Sequence, residues 1–517
     1  TNERLFVIHS GFSTPEDYDW IEGLDTEAKE NLPVIDAINV AKKHLGLEKS
    51  EDVGVASLAD TLTALQAVRN SVADNAPHPG LQRYAEAIIG QGCEFIVSQQ
   101  MLVSTETPPT PEQDTAFTEL LDIAGRSESP ESDVTAEEEF EKFAAWGSPV
   151  ARVEAAQAYW DLFAQRADLY PDLALRAENL LSDQHPAVRL NASVRLVRIW
   201  DLDRDRFWQL LKHRLEREPN LTVIEHVVGD IVSRLIHTDQ QRSLELLLVL
   251  LQREALGSDR ERRLCNAIAD KLTILWVKYN SAEAKVVLDQ WLDVPWEHAE
   301  EARTILSTLR EAIVAGVGDL PDKDAGLRQR SQALVSRIVN AANVRLAEHM
   351  AGAAMGETAT AEARECASLI DSAGMQMFFA IDAMASERNG EAALLHAGLR
   401  VFIRENADLL NRIGQYAQPH TTYYLLQLIE HLVEVDAGAT FDLAASTLQA
   451  SSRSGYQNES LGVDLLVRLI GVFLADHKEV FEDSTRRAAL VDCLEIFLEA
   501  GWPAARRLLY RLPELIQ

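Results

Sequence analysis

The chain has 517 residues, 47% of them hydrophobic, and a formal net charge of −32 at pH 7. That length is enough for two to four ordinary domains or one long array, with ample material for a core. A field of that sign repels phosphate backbones and anionic lipid, which disfavours nucleic acid or a membrane surface as the main partner.

Glycine (25) and proline (17) are sparse, and with alanine, leucine, glutamate and arginine abundant the composition reads as mostly helical. The charge is uneven: residues 1–140 hold 27 acids against 8 bases. Four cysteines, Cys93, Cys265, Cys366 and Cys493, are widely spaced with no CxxC. They read as buried thiols in a reducing compartment, so a cytoplasmic location is expected. No apolar run approaches 18 residues, and no charged-then-apolar leader is present. Thr1 fits either a removed initiator methionine or a piece of a longer chain.

In chain order, Leu5-Phe6-Val7-Ile8 reads as a short strand or, preferably, an anchor packed on the first helix. Helical spacing predicts helices over Pro33–Leu45 and Val55–Val72, then a long apolar helix or helix pair over Leu81–Val103, broken near Gly90-Gln91-Gly92. After the Thr105–Pro111 interruption, Thr115–Ala124 is amphipathic. Residues 1–125 therefore form an acidic helical capping subdomain. Arg126-Ser127-Glu128-Ser129-Pro130-Glu131-Ser132-Asp133 is polar and poor in core residues, which predicts a linker or mobile loop over 126–136.

From Ser148 to Asn220 one helical pattern recurs. Ser148-Pro149-Val150-Ala151-Arg152 and His185-Pro186-Ala187-Val188-Arg189 superimpose, with Arg152 on Arg189 and Ala155 on Ala192, and Pro219 opens a looser third copy. Proline is tolerated at a helix's first position, so Pro149, Pro186 and Pro219 each read as a helix start. A returning helix follows each start, Leu173–Leu181 and then Phe207–Leu215. One such hairpin cannot bury its apolar face alone, so the repeat predicts an α-solenoid. The pattern Asp183-x-x-Pro186-x-Val188-Arg189-x-x-Ala192-x-x-x-Leu196 resembles the first helix of a HEAT repeat, of the HEAT/armadillo type. The resemblance implies a curved right-handed superhelix with long surfaces for protein or nucleic acid, and no chemistry.

The HEAT-like block spans 137–320. It continues through Leu221–Ile236, Ser243–Gln252, Arg262–Tyr279, Ser281–Asp293 and His298–Ala315 to a stop at Gly316-Val317-Gly318-Asp319-Leu320-Pro321. Residues 321–517 read as divergent repeats and a C-terminal cap, with helices near 327–350, 360–387, 391–416, 420–434, 438–451, 459–476, 484–500 and 503–515. The fold class is thus all-α, stacked antiparallel helix pairs, with no true domain break and a softer joint near 316–326.

Three tempting sites dissolve on inspection. Asp201-Leu202-Asp203-Arg204-Asp205 opens like a calcium loop, but Arg206 and Lys212 stand where the glycine and the bidentate acid belong; its acids are expected to cap a helix. His226, Asp230, Ser233 and His237 share a helical stripe, yet the two histidines lie about 16 Å apart along the axis, too far to share an ion. Gly316-Val317-Gly318 closes a helix, where a dinucleotide turn would open one. There is no GK pair, GxSxG or HExxH. No cofactor, metal or catalytic residue is expected.

One cluster stands out. Between Pro186 and Arg217 lie Arg189, Arg195, Arg198, Arg204, Arg206, Lys212, Arg214 and Arg217, interleaved with Trp200, Phe207 and Trp208. Its bland reading is inter-repeat ion pairing with tryptophans in the core. Its functional reading is a partner-binding patch of Arg189, Arg195, Arg198, Arg204, Arg206, Trp200 and Trp208, since arginine and tryptophan anchor interfaces. The expected function is a non-enzymatic protein-binding scaffold, adaptor or sensor arm; helical arrays of this look are common in bacterial signalling and antiphage-defence systems. The alternative is a HEAT-like nucleic-acid binder or DNA glycosylase, with Trp200, Asp201, Trp208 and Arg204 converging on a groove. Homo-oligomerisation through the last helix, Trp502 to Leu515, is a third expectation.

Overall fold

The computed structural model describes residues 20–46, 57–103, 108–132, 134–253, 258–319, 321–351, 357–387, 392–451 and 463–501. The segments at Leu5–Ile8 and Trp502–Leu515 lie outside them. Among the described residues every regular element is helical, and the fold is all-α. The chain divides into two compact units, Thr1–Leu256 and Gly257–Gln517. That division falls inside the block expected at 137–320, and the glycine stop at 316–318 lies within the second unit.

The first unit contains α1 (Leu32–His44), α2 (Leu58–Asn75), α3 (Pro79–Ser98), α4 (Pro111–Arg126), α5 (Ala136–Lys142), α6 (Ala151–Gln165), α7 (Tyr170–Leu180), α8 (Pro186–Arg195), α9 (Arg204–Arg217), α10 (Leu221–Val227), α11 (Ser233–Leu235) and α12 (Gln240–Leu251). They stack as two rows. α1, α3, α6, α8 and α10 follow one another in one row; α2, α4 and α7 follow in the other, where α9 also packs on α12. Small residues let the first row close up: Ala151, Ala155, Ala158 and Ala192 are fully buried. Trp160, Phe163, Phe117 and Phe207 are fully buried in the core of this unit.

The second unit repeats the scheme with α13 (Ser258–Val277), α14 (Ala282–Asp293), α15 (Ala299–Leu309), α16 (Ala325–Ala351), α17 (Glu357–Glu387), α18 (Ala392–Gln415), α19 (Pro419–Leu432), α20 (Ala437–Ser451), α21 (Val463–Asp476) and α22 (Ser484–Ala500). Odd-numbered helices stack on odd and even on even. Phe402, Phe441 and Phe473 are buried in its core, with Phe441 edge-on to Phe473 at 5.3 Å.

Helix starts are written locally. Ser57, Thr110, Asp203, Asp239 and Ser281 each accept a backbone N–H at the opening of α2, α4, α9, α12 and α14. His78-Pro79 and His185-Pro186 open α3 and α8 in the same way, the imidazole Nδ1 accepting from Gly80 and Ala187 at 3.1 Å. Of the three repeat prolines only Pro186 begins its helix; Pro149 and Pro219 precede the cap residues Val150 and Asn220.

Two features differ from expectation. Gly90-Gln91-Gly92 does not break α3, which runs continuously to Ser98. The glycines instead serve contact: a Cβ on Gly90 would lie 3.1 Å from the Ala151 carbonyl oxygen, and one on Gly92 2.5 Å from the Leu65 side chain. The segment after α4, expected as a linker or mobile loop, is pinned in its described part. Arg152 donates to the Ser127 carbonyl at 2.6 Å and the Pro130 carbonyl at 2.7 Å, and its backbone N–H reaches Ser129.

Candidate functional site

The repeated arginine of the sequence pattern builds a ladder along the ends of the first row. Arg152 pairs with Asp183 at 2.9 Å while gripping carbonyls of the turn before its own helix. One repeat later, Arg189 pairs with Glu218 at 2.8 Å and grips the Asp183 and Gln184 carbonyls at 3.0 Å. The acids are equivalent too: Asp183 accepts the N–H of His185, and Glu218 that of Asn220. Each arginine thus ties the turn before its helix to the turn after the next one. Arg253 closes the series, donating to the Leu215 and Glu218 carbonyls.

This placement corrects part of the expected patch. Arg189 is 3% exposed and Glu218 is fully buried, with Arg214 on its other oxygen and Glu137 of α5 against Arg189 at 2.6 Å. Burial pulls the Arg214 guanidinium below its usual range, while Arg189, also opposed by burial, is held above it by Glu218 and Glu137. Arg206 pairs with Glu178 across α7 and α9. Trp208 is 7% exposed, and its indole N–H donates to Asp239 at 3.1 Å. Arg189 and Trp208 thus hold the rows together, because a repeat's own neighbours supply the acid and the cavity that arginine and tryptophan require, whereas Arg206 keeps 37% of its side chain exposed beside its ion pair.

Also near solvent is a strip across α6, α8 and the 3-10 turn Leu196–Ile199 that follows α8. Gln157 donates to Asn191 at 2.9 Å, and about one turn further Asp161 takes Arg195 at 3.3 Å and Arg198 at 2.5 Å. The Arg195 and Arg198 side chains stay 35% and 47% exposed. The strip ends at Trp200, half-buried against Phe207 and Trp208, with the exposed Arg204 stacked on it at 4.5 Å. Of the quartet named for the glycosylase alternative, Trp200 lies 6.0 Å from Trp208 and carries Arg204, while the buried Trp208 donates its indole N–H to Asp239 and Asp201 is exposed on the turn.

Beneath the strip lies a group that the sequence reading missed. Glu154 is 8% exposed, and burial together with the charge of Glu94 raises it to about 7. Burial and Asp161 raise Glu94 as well, with Arg195 opposing. The only advance signal was an acid at a position whose flanking residues are all core.

Asp203 caps α9, His226 and His237 are exposed, and Asp230 pairs with Arg234. Among the described residues no group of three acids, histidines or cysteines could hold a metal ion. None of the described helices is long and apolar enough to cross a membrane. Cys93, Cys366 and Cys493 are buried free thiols; burial pushes Cys366 and Cys493 up to about 12.

No family model matches the chain, and no curated protein matches its sequence. Among solved structures, it is similar to Kap121p bound to RanGTP at 14% identity and a TM-score of 0.25, over 94% of this chain and 58% of that one. It is also similar to the karyopherin Kap121p bound to the extreme C-terminus of the protein phosphatase Cdc14p, at 13% identity and a TM-score of 0.23, over 95% and 67%. The chain thus spans about three fifths of the length of several Kap121p structures it matches.

Proposed function

We propose that this chain is a non-enzymatic protein-binding scaffold, an adaptor or sensor arm of a larger assembly, and that it binds through the exposed strip of its first unit. The observation that supports this is the strip itself. Gln157, Asp161, Asn191, Arg195 and Arg198 are linked side by side across two stacked helices and the turn that follows the second, with the Trp200–Arg204 pair at the end. Its polar groups hold one another in register and are not focused on a reacting atom, which suits an extended partner surface. Arginine and tryptophan at the edge supply desolvated anchor area.

The test is recovery of partners from the native host by wild type and by an Arg198→Glu, Arg204→Glu variant. Both positions are exposed, so the variant is expected to keep the wild-type circular dichroism spectrum. A protein recovered by wild type and lost from the folded variant supports the scaffold and this site. Equal recovery removes the site, and recovery of nucleic acid in place of protein overturns the reading.

A further inference from the structure

The second unit carries a different surface, independent of the strip. A cleft of about 760 Å³ opens between α16, α17 and the start of α19, lined by His349, Arg364, Ser368, Asp371 and His420 among others. That volume lies in the range of ligand sites. In the second unit of this acidic chain, Arg303, Arg328, Arg337, Arg345, Arg412 and Arg486 all reach carboxylates. Arg364, His349 and His420 do not; among the described residues none of them has a carboxylate within ion-pair distance, and the Nδ1 of His349 is buried without a hydrogen-bond partner. The Asp371 carboxylate accepts the Thr421 hydroxyl at 2.9 Å, which ties α17 to α19 at the cleft floor.

Along the same two helices an aromatic ladder follows: Phe378 stacks with Tyr424 at 6.0 Å, and Phe379 meets Tyr424 at 6.2 Å. Phe379 remains 36% exposed, with the Arg310 guanidinium over its ring at 5.2 Å. The ladder closes where His431 lies against Phe378 and 3.7 Å from Asp382. From Arg364 to Asp382, α17 runs about 27 Å at about 1.5 Å per residue, the reach of about eight residues of extended chain.

We propose that this groove binds an extended protein segment carrying clustered carboxylates at one end, received by Arg364, His349 and His420, and aromatic or large apolar side chains at the other, received by Phe378, Phe379 and Tyr424. Charge complementarity fixes the occupant, since unpaired bases in an acidic molecule attract carboxylates and repel basic peptides. The aromatic rungs add apolar area at low entropy cost. Asp371 takes a backbone N–H of the segment where it passes from one half to the other.

The experiment uses the full chain and a fluorescein-labelled ten-residue peptide with three aspartates at one end and two phenylalanines at the other, made in both chain orders and read by anisotropy. Saturable binding of at least one order is expected, weakened at least tenfold when the aspartates become lysines. Arg364→Glu is expected to weaken it at least tenfold and Phe379→Ala severalfold, while Arg234→Glu, at an exposed position of the first unit, leaves it unchanged. Both groove positions are exposed, and circular dichroism checks that the variants fold. Absence of saturable binding, equal binding of the lysine peptide, or full affinity in Arg364→Glu overturns the proposal. Equal binding of an aspartate peptide lacking phenylalanine also overturns it, since a free anion site would then suffice.

Discussion

Glu218 shows how much of this fold rests on single charges. Its carboxylate is fully buried between Arg189 and Arg214 and also accepts the Asn220 N–H. Glu218→Ala strands the buried Arg214 guanidinium, leaves Arg189 with Glu137 as its counter-charge, and is expected to lower unfolding stability by about 3–5 kcal/mol, measured by urea denaturation. Glu154 acts in the opposite sense. Its carboxyl is raised from 4.5 to about 7 in the fold, so the folded state binds the proton more tightly than the unfolded chain. The stability tied to that proton is fully present below about pH 4.5 and is lost as pH rises through about 7. Glu154→Gln is therefore expected to match wild type near pH 4 and exceed it near pH 8 by up to about 3 kcal/mol, read from urea midpoints across pH. An unchanged pH profile in the variant would show that Glu154 ionises normally.

At the scale of the element, glycine separates packing from propensity. A Cβ on Gly90 would stand 3.1 Å from the Ala151 oxygen, 3.2 Å from the Glu154 Cβ and 3.3 Å from the Ala124 Cβ, none of which is the loose end of a side chain. Gly90→Ala forces α3 away from α6, and a cost of about 1–3 kcal/mol from overpacking outweighs the helix-propensity gain of about 1 kcal/mol. Gly229 sits in the π-helical turn Val228–Val232 with nothing within 4 Å. There the same substitution meets no neighbour and is expected to stabilise by about 0.5–1 kcal/mol. Thermal melts of the two variants should move in opposite directions. Helix extents were legible from apolar stripes and capping residues, down to α22, expected at 484–500 and found at Ser484–Ala500. The uninterrupted α3 was not, because a glycine that breaks an isolated helix also lets two packed helices touch.

For the whole molecule, the consequential fact is the division at Leu256–Gly257. Each unit has its own two rows and its own buried aromatics. Expressed separately, 1–256 and 257–517 are each expected to give a helical circular dichroism spectrum and a single cooperative melt. A fragment that stays unfolded would contradict that independence. The sequence placed the joint near 316–326, at the clearest glycine signal. Gly316 and Gly318 do adopt positive φ, at 64° and 84°, but they turn the chain between α15 and α16 inside one unit. A turn signal reports local backbone conformation, whereas a boundary depends on which cores close separately.

The amino-acid sequence by itself determined the helices, their pairing and the all-α class. Those follow from apolar periodicity, caps and a repeat that must stack to bury its faces, and all three are carried by residues near one another in the chain. It also exposed the arginine–tryptophan cluster between Pro186 and Arg217. Only the tertiary structure decided what that cluster does. Arg189 and Trp208 are consumed by Glu218 and Asp239, each about thirty residues away, while Arg195, Arg198, Arg204, Arg206 and Trp200 keep part of their side chains at the surface. The groove of the second unit was invisible in advance for the same reason. Arg364, His420 and Phe379 come from helices that meet only through stacking, and an ion pair left unmade is a property of three-dimensional neighbours.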